Sequence, residues 1–177
     1  MPNPDAFLIT GGSGQLARRV IELVLEQGAG PLITTTRDPA RLSNLAGRGV
    51  SVRQADFTLP AEDLAAAFRG AKKMLLVSTN TLEGWGKRFE QQERAIRAAV
   101  EAGVQHIVYT SLTFPYPASP VPVARDHHDT ENLLRETGVE YTFLRNNIYA
   151  DSLLYTLPGA IRTGRLKAAA GDGRAAH

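Results

Sequence analysis

The apolar run Ala6-Phe7-Leu8-Ile9 breaks at Thr10-Gly11-Gly12-Ser13-Gly14-Gln15-Leu16-Ala17, which opens an amphipathic segment from Leu16 to Leu25. Strand, glycine turn and helix in that order make a seat for a dinucleotide pyrophosphate. Glycines let backbone N–H groups approach the phosphates, and the helix N-terminus adds unpaired donors and a positive partial charge. The spacing is Gly11-x-x-Gly14-x-x-Ala17 rather than G-x-G-x-x-G, and Ala17 is small enough to let the helix lie close to the strand. Gly11, Ser13, Gly14, Gln15 and Leu16 are therefore the candidate phosphate-binding residues. A glycine cluster alone marks many tight turns; the flanking strand and helix make it a nucleotide signal.

Downstream, apolar runs alternate with helical patterns. The spacing predicts strands at 6–10, 31–36, 50–55, 73–78, 106–110 and 140–144, and helices at 15–27, 39–46, 61–68, 85–102 and 125–137. Gly28, Gly47, Gly70, Gly103 and Gly138 stand where a left-handed residue would close each helix. Pro39 and Pro60 stand where a helix can begin. Repeated β-α units need parallel strands with right-handed crossovers. The expected fold is α/β, a doubly wound parallel (Rossmann-type) sheet of order 3-2-1-4-5-6, with the cofactor across the carboxyl ends of the strands. Residues 1–150 are expected to form the NAD(P)-binding domain and 151–177 only the start of a substrate region. The proline-rich segment 114–122 reads equally as a stiff connector or as an active-site rim. Residues 147–163 suggest one helix interrupted at Pro158-Gly159, followed by a polar tail.

Composition excludes several classes. With no cysteine there is no disulfide, thiolate nucleophile or Cys-ligated metal. No apolar run approaches a membrane span, and Met1-Pro2-Asn3-Pro4-Asp5 lacks signal-peptide character, so a cytoplasmic protein is expected. A net charge of +2 with dispersed arginines gives no nucleic-acid footprint. Lysine is scarce: Lys72, Lys73, Lys87 and Lys167.

After the second strand comes Thr36-Arg37-Asp38-Pro39-Ala40-Arg41. In a dinucleotide fold this corner meets the adenosine ribose, where an arginine pairs with a 2′-phosphate and an acid accepts from a 2′-OH. Arg37 and Arg41 can face one anion with guanidinium forks, which favours NADPH over NADH. Asp38 stands against this, as a ribose acceptor or a helix cap. Asp56 and Phe57 follow the third strand, where adenine would lie, although a turn aspartate satisfying its own backbone fits Asp56 nearly as well. Ser78, Thr79 and Asn80 end the fourth strand, and Thr110 and Ser111 the fifth, beside the expected nicotinamide and ribose. Hydroxyls at strand ends also serve frayed backbone. No tyrosine has lysine at i+4: Tyr109, Tyr116, Tyr141, Tyr149 and Tyr155 are followed there by Thr113, Pro120, Arg145, Leu153 and Gly159. The Tyr-x-x-x-Lys pair of short-chain reductases is absent. His127 and His128 point about 100° apart on a helix and cannot chelate one metal; one is expected at the surface and one facing the pocket.

These pieces together resemble the NmrA-like branch of atypical short-chain dehydrogenases, most closely the type 2 NAD(P)H:quinone oxidoreductases. The resemblance rests on Thr10 to Leu16, Thr36-Arg37-Asp38-Pro39-Ala40, Val52-Arg53-Gln54-Ala55-Asp56-Phe57, Tyr109-Thr110-Ser111-Leu112, His127 with Thr130-Glu131, Tyr141-Thr142-Phe143-Leu144-Arg145-Asn146 and Ala170-Gly171-Asp172-Gly173. It implies NADPH held by the glycine loop and Arg37, and a cleft lined by Ser111 and the Leu-Arg-Asn segment. It implies hydride transfer to a small quinone-like acceptor, with a homodimer left open. Ser111, His128 and Asn132 are the candidate catalytic residues. A protein that aligns cofactor and acceptor needs no Tyr-Lys pair, since a reduced quinone oxygen takes protons from water.

Two departures accompany the resemblance. Asn132 stands where the family places lysine; it can hydrogen-bond a ribose hydroxyl but is uncharged. Arg145 supplies positive charge nearby, provided its head is not drawn into a structural pairing. The chain also ends at His177, where family members add a further strand and a cleft-closing domain, so a truncated relative is expected. The alternatives are a non-catalytic NADP-binding redox sensor, or a fold remnant without a ligand.

Overall fold

The computed structural model describes residues 5–81 and 86–165. The chain divides into two compact units, Met1–Arg145 and Asn146–His177. In the first, β1 (Ala6–Ile9), α1 (Gln15–Glu26), β2 (Leu32–Thr36), a 3-10 turn (Pro39–Leu42) running into α2 (Ser43–Ala46), β3 (Ser51–Gln54) and α3 (Ala61–Phe68) are followed by β4 (Ala71–Leu76), α4 (Lys87–Glu101), β5 (His106–Leu112), α5 (Ala124–Glu136) and β6 (Glu140–Asn146). The six strands form one sheet in the order β3-β2-β1-β4-β5-β6, as the alternating pattern predicts. β1 pairs in parallel with β2 (Leu8 opposite Ile33) and with β4 (Leu8 opposite Met74). β2 pairs likewise with β3, and β4 with β5.

Successive strand residues point to opposite faces, so each inner strand feeds two cores. Ile9, Leu32 and Leu75 pack with Ala17 and Ile21 of α1 and with Leu42 and Leu45. Leu8, Ile33, Met74, Leu76 and Ile107 face the other way, onto Leu64 and Phe68 of α3, Ile96 and Ala99 of α4 and Leu134 of α5. Ala17 and Ile21, four residues apart, form one buried stripe of α1. The small Ala17 lets that helix lie against the strand ends. Both cores therefore pack beneath the carboxyl edge of the sheet, and that edge carries the candidate site.

Several boundaries differ from the expectation. β4 stops at Leu76, leaving Ser78, Thr79 and Asn80 beyond the strand, whereas β5 runs on to Leu112 and takes Thr110 and Ser111 inside it. Gly47 is right-handed with φ −62°; the turn after α2 is made left-handed two residues later, by Gly49 at φ 85°. Gly28, Gly70, Gly103 and Gly138 all have positive φ. In the second unit a 3-10 turn (Ala150–Ser152) leads into α6 (Leu153–Thr163), which continues through Pro158 instead of breaking there. Proline removes its own N–H from the helical ladder and its ring crowds the carbonyl four residues back, yet α6 runs past it and ends at left-handed Gly164, φ 64°. The expected helix start at Trp85 and the Ala170-Gly171-Asp172-Gly173 segment lie outside the described residues.

Candidate functional site: the carboxyl edge of the sheet

Hydroxyls of buried threonines lock the strand ends around the glycine turn. Thr10 Oγ1 accepts from Val77 N at 2.9 Å and donates to Leu75 O at 3.3 Å, tying β1 to the end of β4. Thr34 Oγ1 donates to Ile9 O at 2.9 Å. Gly12 N donates to Thr35 O at 2.8 Å, and Gly11 takes φ 67°, a conformation that favours glycine. Gly12 is buried against β2: a Cβ there would lie 2.3 Å from Thr34 Oγ1. Local spacing pointed to Gly11 and Gly14; the packing demand at Gly12 comes from a strand more than twenty residues away and escapes a reading of the turn alone.

Gly11, Ser13, Gly14 and Gln15 are exposed and Leu16 is half-buried. No side chain caps the N-terminus of α1, and its first turn holds no acidic residue. Its leading amides and the dipole end are thus open to an anion. Arg37 and Arg41 are both exposed, and neither guanidinium has a hydrogen-bond or ion-pair partner among the described residues. Asp38 is committed locally, its Oδ1 accepting from Ala40 N at 3.1 Å as the cap of the 3-10 turn. Asp56 Oδ1 likewise accepts from Thr58 N at 2.9 Å and Thr58 Oγ1 at 2.8 Å, while Phe57 lies half-buried with its ring edge-on to Phe68. At the β4–β5 end, Thr110 Oγ1 accepts from Ser78 N at 2.8 Å and donates to Ser78 Oγ at 3.3 Å. Asn80 is exposed. Thr79 Oγ1 is buried without a hydrogen-bond partner among the described residues, an arrangement that normally costs about 1–3 kcal/mol unless a ligand or water supplies the bond. An open helix N-terminus, two arginines and a buried hydroxyl, the last three unpartnered among the described residues, fit a dinucleotide along one sheet edge.

The α5 residues sort onto two faces. His127 is buried, its Nδ1 2.6 Å from Tyr109 Oη, and Tyr109 Oη donates to Gln92 Oε1 at 3.2 Å. Burial, reinforced by the Arg88 charge, pushes the imidazole down to about 4, so it is neutral at physiological pH. Burial also raises the Tyr109 phenol well above its usual range. His127 thus belongs to an interior polar knot. His128 is partly exposed, with Nδ1 3.1 Å from Asp129 Oδ1 and 3.3 Å from Asn132 Nδ2. Asn132 Oδ1 accepts from Arg135 Nη1 at 2.8 Å.

Ser111 is joined to neither His128 nor Asn132 among the described residues; its Oγ donates to Glu131 Oε1 at 2.7 Å. Glu131 also takes Arg145 Nε at 3.0 Å and Nη2 at 2.7 Å, and Arg135 Nη2 at 3.1 Å. Arg145's head is therefore turned into an ion pair. Glu131, part of the family pattern without an assigned role, is the hub that joins β5, α5 and β6. Its i,i+4 spacing to Arg135 was the one sequence signal; the Ser111 and Arg145 contacts are tertiary. A separate cavity of about 330 Å³ is lined by Gly86, Phe89, Arg125, Asp126 and Asp129 and by none of the strand-end residues.

The NAD(P)H-binding family profile matches residues 11–163, from the glycine turn to the end of α6. The chain belongs to that family. Quinone oxidoreductase 2 of Escherichia coli (strain K12) is 40% identical over 169 residues, covering 95% of this chain and 57% of the relative. An NmrA-like family domain-containing oxidoreductase of Aspergillus flavus is 32% identical over 149 residues, covering 82% of this chain and 48% of the relative. Triphenylmethane reductase of Citrobacter sp., solved with NADP(H), superposes with a TM-score of 0.79 at 33% identity, over 89% of this chain and 55% of that one. The resemblance to the NmrA-like branch thus holds in sequence and in fold. The chain spans about half the length of the relatives it matches.

Proposed function

We propose that this chain binds NADPH along the carboxyl edge of its sheet and serves the two-electron reduction of a quinone-like acceptor. The observation that carries the reading is the uncapped, acid-free N-terminus of α1 behind Gly11 and Gly14, together with two exposed arginines that have no partner among the described residues. Gly11, Ser13, Gly14, Gln15 and Leu16 take the pyrophosphate. Arg37 and Arg41 take the 2′-phosphate, which makes NADPH the preferred form. Asp56 and Phe57 border the adenine; Ser78, Thr79, Asn80, Thr110 and Arg145 belong to the nicotinamide end, with Arg145 acting through Glu131. When bound, the reduced nicotinamide would supply the hydride, and water the one proton that completes the hydroquinone. The chain's contribution is alignment, with Ser111, His128 and Asn132 at the reacting end. The quinone and triphenylmethane reductases among the relatives support an unsaturated ring compound as the acceptor.

The test follows NADPH absorbance with 1,4-benzoquinone and the purified chain. The expected result is enzyme-dependent oxidation that saturates in both reactants. Tight NADPH binding without turnover would turn the reading towards a redox sensor, and no binding at all would remove it.

A further inference from the structure

The Ser111 hydroxyl carries one proton, and that proton goes to Glu131 Oε1. Glu131 is 2% exposed. Burial pushes its carboxyl up, but the hydrogen bonds from Arg145, Ser111 and Arg135 outweigh this and hold it below the usual range. It is an ionised carboxylate at neutral pH, with no proton to give back. Ser111, itself 4% exposed, therefore has only lone pairs left to offer. Such a hydroxyl cannot donate to a carbonyl oxygen of an acceptor; it can receive an N–H or O–H.

The geometry points to Glu131 as a positioning residue that makes Ser111 a hydrogen-bond acceptor for a donor group on the nicotinamide half of the cofactor, either the carboxamide N–H or a ribose hydroxyl. The inference rests on the NADPH reading above and assigns Ser111 to cofactor orientation instead of proton delivery. Arg145 and Arg135 hold the carboxylate in place, so the ion pairs of α5 and β6 set the register of a group on β5.

Isothermal titration of NADPH into the wild-type chain, Ser111→Ala, Glu131→Gln and the double variant tests this. Ser111→Ala keeps all three arginine bonds to Glu131 and is expected to weaken NADPH about tenfold, the value of one well-made hydrogen bond. Glu131→Gln is expected to weaken it similarly. The double variant should be no worse than the poorer single variant, because the two residues act as one unit. Ser111→Thr should restore affinity, and it carries the test with Ser111→Ala if Glu131→Gln does not fold. The reduced 3-acetylpyridine analogue, which keeps the carbonyl but lacks the N–H, separates the two donors. Loss of the Ser111→Ala penalty with that analogue identifies the carboxamide, and persistence identifies a ribose hydroxyl. Wild-type affinity in Ser111→Ala, or losses that multiply in the double variant, would overturn the inference alone. A wild-type chain that binds neither nucleotide would overturn the NADPH reading and this inference with it.

Discussion

A Cβ on Gly12 would meet Thr34 Oγ1 at 2.3 Å and Leu42 Cδ1 at 3.0 Å. Thr34 cannot turn aside without giving up its bond to Ile9 O in a fully buried position. Gly12→Ala is therefore expected to destabilise the chain by about 2 kcal/mol, in the range of overpacking, as read from the urea midpoint. Adding Thr34→Ala should recover part of the loss; no recovery would show that the clash is elsewhere. Arg37 answers a different question. Arg37→Ala should weaken NADPH by about tenfold or more, the loss of a charge-assisted phosphate contact, and leave NADH nearly unchanged. Equal losses for both nucleotides would remove the 2′-phosphate assignment. The glycine turn at Gly11 and the Asp38 cap before Pro39 were legible because their chemistry is local. Gly12 and Glu131 were not, because their demands come from Thr34, Ser111 and Arg145, which only the sheet brings close.

Between β5, α4 and α5 lies a chain of buried polar contacts. Tyr109 Oη meets His127 and Gln92, Gln92 Nε2 donates to Thr130 Oγ1 at 2.7 Å, and Thr130 Oγ1 donates to Asp126 O at 2.7 Å. The buried imidazole gives this element pair a pH dependence. An unfolded histidine takes up a proton below about 6.5, whereas folded His127 resists until about 4. The unfolded state thus binds more protons in that window. Its stabilising effect is fully present above pH 6.5 and is lost as pH falls towards 4, by about 3 kcal/mol at most. Urea midpoints at pH 7, 5.5 and 4.5 should show that decline, and His127→Gln should flatten it; an unchanged slope would contradict the buried, neutral histidine. The periodicity of α5 was readable in sequence, but which of two adjacent histidines turns inward depends on the Tyr109 hydroxyl that waits on β5. Likewise Pro158 and Gly47 misled because a proline loses one bond without ending a helix, and a glycine that can be left-handed need not be.

The order of the strands followed from the alternation of strand and helix, since parallel pairs with right-handed crossovers leave few other arrangements. What the alternation could not show is how much apolar surface the described residues expose. β6 exposes Tyr141 and Leu144, and within the second unit Ile148, Leu154, Tyr155 and Ile161 are all more than 60% exposed. Surfaces of that kind drive association. Sedimentation of the 177-residue chain is expected to show concentration-dependent self-association, reduced by Ile148→Glu with Ile161→Glu; a monomer at all concentrations would contradict this. Among the described residues no helix is long and apolar enough to cross a membrane.

The most direct measurement is calorimetric titration of the folded chain with NADPH, and with NADPH against a Gly14→Asp variant that sets a carboxylate at the mouth of α1. Saturable heat with the wild-type chain, abolished in the variant while its thermal unfolding stays cooperative, is the expected result. No heat from a well-folded wild-type chain, or equal binding by Gly14→Asp, would contradict a pyrophosphate seated on the glycine turn.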